Sequence, residues 1–238
     1  MTVVDCFMSG NAERYHGSQM DDGLPTIGIV TACHTYTQFL ERWCAGIRGL
    51  RTKPDQIVIA ATNPMDVIAE VEGKLDAYNV VKAEEPFSLG GYLNTALEAC
   101  DTDWIVWIGV DDRYRPGALD GLKFMSVDVA AMGMQWSAGG EWVPTKVEAS
   151  HVLQVSSNLI PCGSAFRRHL WQRRPFNIDL APFEDWALWV GFAALGAKFG
   201  ATGRVDFDYY QHAAQIQPPQ EPTKSKIKNW LATLPIEE

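Results

Sequence analysis

The stretch Trp104-Ile105-Val106-Trp107-Ile108-Gly109-Val110-Asp111-Asp112 decides the fold. Its first five residues are apolar without a break. A strand with one face in water alternates apolar and polar residues, whereas a strand covered by helices on both faces reads apolar throughout. The run stops at a glycine and, one residue on, two adjacent acids. Upstream, two periodicities alternate. Thr26-Ile27-Gly28-Ile29-Val30 is a strand-type run, and Phe39, Leu40, Trp43, Ile47 and Leu50 follow at helical spacing. Gln56-Ile57-Val58-Ile59-Ala60 is a second strand, and Asn63-Pro64 opens a helix reaching Lys74. Asn79-Val80-Val81-Lys82 is a third strand, and a helix through Leu93, Ala96, Leu97 and Cys100 leads to Trp104. This order predicts an α/β fold with a mainly parallel central sheet flanked by helices. Ligands in such sheets gather at the carboxyl ends of the strands, where Asp111 and Asp112 stand.

Downstream the pattern is less regular. Pro116 to Met125 reads as a helix, Val127 to Trp136 as a strand, and Ser137 to Pro144 as a Gly-rich turn. Val147 to Ile160 has strand composition, and Phe166 to Trp171 reads as a short basic helix or turn. Glu184 to Gly196 is apolar nearly all round, which predicts a buried helix. Asp206 to Tyr210 reads as a late strand. The expected organisation is an N-terminal arm over 1–25, one α/β domain over 26–215, and a C-terminal segment over 216–238. That last segment comprises the linker Gln217-Pro218-Pro219-Gln220-Glu221-Pro222 and a short helix around Ile227 to Leu234.

Composition narrows the function classes. With 238 residues, 47% of them hydrophobic and 21% charged, the chain can bury a core without disulfide staples. Twenty Lys and Arg against 29 Asp and Glu leave a net charge of −9, so no basic stripe is available to neutralise a nucleic acid backbone. The five cysteines are scattered with no CxxC, which argues against a zinc ribbon and makes a reducing compartment the default. Met1 to Pro25 has Arg14 as its one Lys or Arg and no long apolar run. The longest uncharged apolar stretch, Trp186 to Ala197, falls short of the ~20 residues that span a bilayer. The expectation is a cytoplasmic protein with no stable membrane insertion. Neither GxxxxGK[ST] nor GxGxxG occurs.

Chemistry has few places to reside. Two adjacent carboxylates ending a buried strand are costly unless a cation or donors offset them, and a divalent ion bridging to phosphates would do so. The plain alternative is a solvated turn. Glu184 and Asp185 open the apolar helix, either as capping charge or as a carboxylate held at the mouth of a site as general base. Arg167, Arg168, His169, Arg173 and Arg174 form a dense basic cluster suited to phosphate forks or to a solvated face. His212 follows Tyr209-Tyr210-Gln211. Cys33 and His34 are adjacent on an extended chain and point opposite ways, which disfavours a nucleophile pair. Trp136, Trp142 and Trp171 are candidates for stacking on sugar rings, although most Trp in such a chain fill core and surface.

Thr26 to Leu50, Gln56 to Asp66, Phe87 to Ala96 running into Trp104 to Asp112, then Gly163-Ser164-Ala165-Phe166-Arg167-Arg168 and Phe183-Glu184-Asp185-Trp186-Ala187-Leu188-Trp189 come in a telling order. In that order, over about residues 26–215, the chain resembles the GT-A fold glycosyltransferases of family 2. The resemblance implies transfer of a sugar from a nucleotide-diphosphate donor, usually with inversion. It implies that Asp111 is the metal-binding acid of the DxD motif with Asp112 beside it, and that His212 lies near the donor phosphates. The cofactor implied is Mn²⁺ or Mg²⁺. Asp185 takes the place of the general base, with Glu184 its neighbour. Donor-binding positions fall at Thr31, Ala32, Ala60, Gly90, Asn94 and Arg167. The acceptor stays open between glycan, protein and small molecule.

Departures accompany the match. Gly109 replaces the first acid of DxD, Ala60, Ala61 and Thr62 replace acids of strand two, and Leu93 stands where an Arg often precedes Asn94. Thr31-Ala32-Cys33-His34-Thr35 lacks the usual Pro and Asn. These favour the alternative, a catalytically degenerate nucleotide-sugar or glycan-binding protein on the same fold. A nucleotidyltransferase is disfavoured because no Gly-rich basic loop follows the first strand.

Overall fold

The alternation in the first half of the sequence becomes the parallel half of a sheet. In the computed structural model, which describes residues 23–212 and 223–236, β1 (Ile27–Cys33), α1 (Leu40–Arg48), β2 (Gln56–Ala61), α2 (Pro64–Val71), β3 (Asn79–Lys82), α3 (Leu89–Glu98) and β4 (Trp104–Trp107) come in turn. β1 lies between β2 and β4, with β3 outside β2, all parallel. Strand order therefore reverses between β1 and β4, and a crevice opens at their carboxyl ends.

The unbroken apolar run has a direct explanation. Successive side chains of a strand point to opposite faces. Ile105 and Trp107 enter the core beneath α3, with Val30 and Leu97. Trp104 and Val106 enter the core on the other face, with Ile29, Trp43 and Ile47 of β1 and α1. Both faces are covered, so neither calls for a polar residue. The buried thiols divide in the same way, Cys33 and Cys44 in one layer and Cys100 in the other.

The second half contributes β5 (Arg113–Tyr114), β6 (Val129–Trp136), β7 (Glu141–Trp142), α4 (Ala149–Leu153), β8 (Ala165–Arg167), α5 (Arg168–Arg173), α6 (Glu184–Ala194), β9 (Phe199–Tyr209) and α7 (Thr223–Leu231). The sheet runs β3-β2-β1-β4-β8-β6-β9-β5, with β7 paired to β6. β8 joins β4 to β6 antiparallel, and β6 and β9 then run parallel over a long register. The joins made by β8, β5 and β7 are short, so the sheet is mainly parallel. α6 is buried nearly all round, as its composition requires.

Several expectations are corrected. Pro116 to Met125 forms turns and a single 3-10 turn at Leu122–Phe124, because Gly121 takes φ 78°, which no continuing helix allows. Val147 to Ile160 is α4 and irregular chain. Its buried apolar residues Val147, Val152, Val155 and Ile160 are five, three and five apart, not at the period of two that a half-buried strand needs. Phe166 belongs to a strand before the basic helix starts, and the late strand begins at Phe199, earlier than Asp206. The C-terminal helix is α7, whose Ile227 is fully buried and whose Trp230 approaches Gly191 of α6. Residues 1–22 of the arm and the linker at 217–222 lie outside the described residues. Among the described residues no helix is long and apolar enough to cross a membrane.

Asn94 shows how α3 is tied to the second half. Its Oδ1 accepts from Trp171 Nε1 at 2.8 Å and from the Phe176 N–H at 3.0 Å, while its Nδ2 donates to the Phe176 carbonyl at 3.0 Å. Every hydrogen-bonding atom of the amide is thus engaged by protein. The Asn94→Ala variant leaves two donors and a carbonyl without their partner, at a cost of about 2–3 kcal/mol. Thermal unfolding followed by circular dichroism is expected to show a Tm lowered by roughly 5–10 °C; an unchanged Tm would contradict the clamp.

Candidate active site at the carboxyl ends of the parallel strands

The chain leaving β4 is shaped by three contacts. Thr31, fully buried, donates its Oγ1 hydrogen to the Ile108 carbonyl at 2.7 Å. The Asp112 N–H closes a turn on the Gly109 carbonyl at 3.0 Å. A Cβ on residue 109 would lie 2.3 Å from Asp111 Oδ1, so a side chain there would push the Asp111 carboxylate aside. The departure from DxD at Gly109 is therefore a steric condition on where the Asp111 carboxylate points.

The two acids then part. Asp112 is 3% exposed, and its Oδ1 accepts the Tyr210 N–H at 2.8 Å. Burial first, and the neighbouring Asp111 second, push its carboxyl well above the usual range. Asp111 turns the other way, with Oδ2 2.9 Å from His212 Nε2. The His212 ring is walled by Tyr36, Phe39 and Tyr210, with centroids 5.4, 5.0 and 5.7 Å away. Arg42 of α1 donates to the Asp111 carbonyl and lays its guanidinium 4.0 Å over the Tyr210 ring. Helix α1, the acid turn and the end of β9 are thus held as one unit.

The pair that opens α6 also divides. Glu184 is 4% exposed and accepts the Gly90 N–H at the start of α3. A Cβ on Gly90 would lie 3.2 Å from both Glu184 Cγ and Phe176 Cβ, so Gly90 permits the close helix contact. Asp185 faces the loop before β8, where Asn158 Nδ2 donates to its Oδ2 at 3.0 Å. Burial raises the Asp185 carboxyl to about 6, Glu184 adding to the rise while the Trp186 N–H and Asn158 oppose it. The Cys162 thiol and the Tyr209 phenol are both driven up, by burial first and also by Asp111, Asp112 and Asp185. All three carboxylates act on the same two residues. The acid turn and Asp185 thus both lie close enough to Cys162 and Tyr209 to raise them.

The other expected positions serve the fold or lie away from the acid turn. Ala32 and Ala60 are register partners in β1 and β2, with Ala60 fully buried, and offer backbone at most. Thr31 serves the acid turn, Gly90 the α3–α6 contact, and Asn94 the clamp described above. Arg167 is removed altogether. It pairs with Trp104 at the amino end of β4, and its guanidinium lies 4.1 Å over that indole, at the opposite edge of the sheet from Asp111. Cys33 is buried, with its thiol raised to about 12, and cannot act as a nucleophile. Trp171 is 8% exposed and bonded to Asn94, which removes it as a sugar platform.

Sequence reasoning missed a polar cluster over β1 and β2. His34 Nδ1 is 2.7 Å from Thr62 Oγ1, which is 2.8 Å from the Tyr92 hydroxyl. The same hydroxyl donates to Glu85 at 3.3 Å, and the Phe87 ring stacks on His34 at 4.6 Å. Asn158 and Arg42 were missed as well. Nothing in their spacing marks them, because their partners are 27 and 69 residues away.

Among the described residues no three His, Cys, Asp or Glu side chains gather as a metal cage. Asp111 and His212 do place a carboxylate oxygen and an imidazole nitrogen side by side, a donor set that fits a hard or borderline divalent ion whose other positions a ligand fills.

No family model and no curated protein matches the sequence. Solved structures do match in shape. Staphylococcus aureus TarS 1-349 in complex with UDP-GlcNAc superposes with a TM-score of 0.67 at 15% identity, over 87% of this chain and 65% of that one. The mannosyltransferase PcManGT from Pyrobaculum calidifontis, in complex with GDP-Man and Mn²⁺, gives a TM-score of 0.57 at 18% identity, over 84% and 59%. The chain spans 37% of the longer TarS structure. The fold is a glycosyltransferase fold.

The role given to Gly109 can be checked directly. A crystal structure of the Gly109→Ala variant is expected to show the Asp111 carboxylate displaced from its contact with His212. An Asp111 left in place would show that the direction of its carboxylate does not depend on glycine at 109.

Proposed function

We propose that the protein is a GT-A glycosyltransferase that moves a sugar, with inversion, from a nucleotide-diphosphate donor to an acceptor hydroxyl. The observation that carries this reading is the Asp111–His212 pair, 2.9 Å apart, after β4 of a glycosyltransferase fold. The bound UDP-GlcNAc of TarS and the GDP-Man of PcManGT support a nucleotide sugar as donor. The His34, Thr62 and Tyr92 cluster over β1 and β2 then serves the nucleoside, offering hydroxyl and imidazole groups where the acids of strand two are missing.

Asp111 and His212 would hold Mn²⁺ or Mg²⁺. When bound, the ion offsets the negative charge that builds on the departing diphosphate. Asp112 stays out of the ligand set, its carboxylate fixing the Tyr210 backbone and so the position of His212. Arg42 keeps the turn from opening.

Asp185 acts on the other partner. An acceptor hydroxyl is a poor nucleophile until its proton leaves. As its oxygen bonds to the anomeric carbon and the bond to the phosphate oxygen breaks, the proton passes to the Asp185 carboxylate. A carboxyl raised by burial to about 6 remains ionised at neutral pH, yet is a stronger base than a solvated one.

Two measurements test the assignment. With Asp185 protonated the base is lost, so kcat is expected to fall about tenfold per unit as pH drops below about 6 and to level off above it. Asp185→Asn should lower turnover roughly 10²–10⁴-fold and abolish that limb while donor affinity stays nearly intact. Weakened donor binding with preserved turnover would remove Asp185 from this role. In calorimetry, Asp111→Ala is expected to lose Mn²⁺-dependent binding of UDP- or GDP-sugars. Donor binding with no slow hydrolysis under any Mn²⁺ condition would indicate the degenerate binding protein instead.

A further inference from the structure

Beside the loop that holds Asp185, a cavity of about 390 Å³ opens. Its size falls within the roughly 300–1,000 Å³ of small-molecule pockets. It is lined by Trp142 and the chain following it and by Gln154, Ser156 and Leu159. Asn158, between Ser156 and Leu159 in sequence, donates to Asp185. The cavity and the base thus share a short piece of backbone. That piece is set by Val155, fully buried at φ 50°, a left-handed conformation that β-branched residues rarely adopt. Val155 turns inward, and Ser156 comes out on the cavity side.

The chemistry of the walls selects the occupant. Lys146 Nζ lies 2.7 Å from Glu148, and His151 Nε2 lies 4.0 Å from the other oxygen of the same carboxylate. Glu148 already pairs with Lys146 and lies beside His151, so an anion entering the cavity must compete with it. An apolar chain would cover the Gln154 amide and the Ser156 hydroxyl without giving them partners. A neutral polyhydroxyl ring meets both conditions, with hydroxyls for the amide and hydroxyl and a C–H face for the indole. We propose that this cavity is the acceptor site and that the acceptor presents a neutral sugar residue to it. The inference rests on the glycosyltransferase reading for the word acceptor, and on the cavity itself for the sugar.

Saturation-transfer NMR on the full chain with the methyl glycosides of glucose, galactose, mannose and N-acetylglucosamine tests it. At least one glycoside is expected to bind. Gln154→Ala, at an exposed position, should weaken that binding about 3–10-fold. Trp142→Ala should abolish it and Trp142→Phe should retain it, which separates loss of the platform from loss of the fold. Absence of signal from all the glycosides, or signal undiminished in both alanine variants, overturns the proposal. Displacement of the bound glycoside by inorganic phosphate overturns the neutral-sugar assignment. Hydrolysis of UDP- and GDP-sugars by the unmodified protein is read separately. Glycoside binding without any hydrolysis upholds the sugar site and rejects the transferase reading, and hydrolysis without glycoside binding does the reverse.

Discussion

The hydrogen bond from the Tyr210 N–H to Asp112 joins the end of β9 to the end of β4, across 98 residues of chain. Much of the site depends on it. A carboxylate that is 3% exposed is expensive to bury, and a backbone donor is one of the few partners that reach it there. Once Tyr210 is fixed, its ring meets both Arg42 and His212. His212 then falls against Asp111. The bond therefore sets both what Asp112 cannot do and what Asp111 can. The acid with the greater burial serves the backbone, and the one left nearer the crevice keeps an oxygen for a ligand.

The same division occurs at the start of α6. Glu184 and Asp185 are adjacent in sequence but separated by the helix turn. One goes under α3 beside Gly90 and the other faces Asn158. In both pairs one member of a doublet supports packing and the other turns to a different partner, His212 for Asp111 and Asn158 for Asp185. A doublet of acids in a sequence is thus poor grounds for assigning two chemical roles.

The parallel half of the fold was legible because burial on two faces leaves a plain mark, an apolar run such as Trp104 to Ile108 with helical spacing on either side. The second half was less so. Val147 to Ile160 carries strand-like residues whose spacing does not suit a strand, and Gly121 breaks what composition suggests at Pro116 to Met125. Among the candidates for the site, Asp111, Asp185 and His212 stood out by type and by order. Asn94 and Arg167 did not keep their expected roles, since amide and guanidinium groups serve structure as readily as ligands. The partners Arg42, Asn158, Thr62 and Tyr92 were invisible because each acts through a contact distant in sequence, which only the fold creates.

The distribution of sulfur has a practical side. Cys33 and Cys44 are sealed in the layer under α1, and Cys100 in the layer under α3, each 1% exposed or less. Burial holds all three thiols in their unreactive protonated form. An alkylating reagent can meet them only when a layer comes apart, so peptide mapping of the modified cysteines would time the breathing of each side of the sheet independently, with no label engineered into the protein.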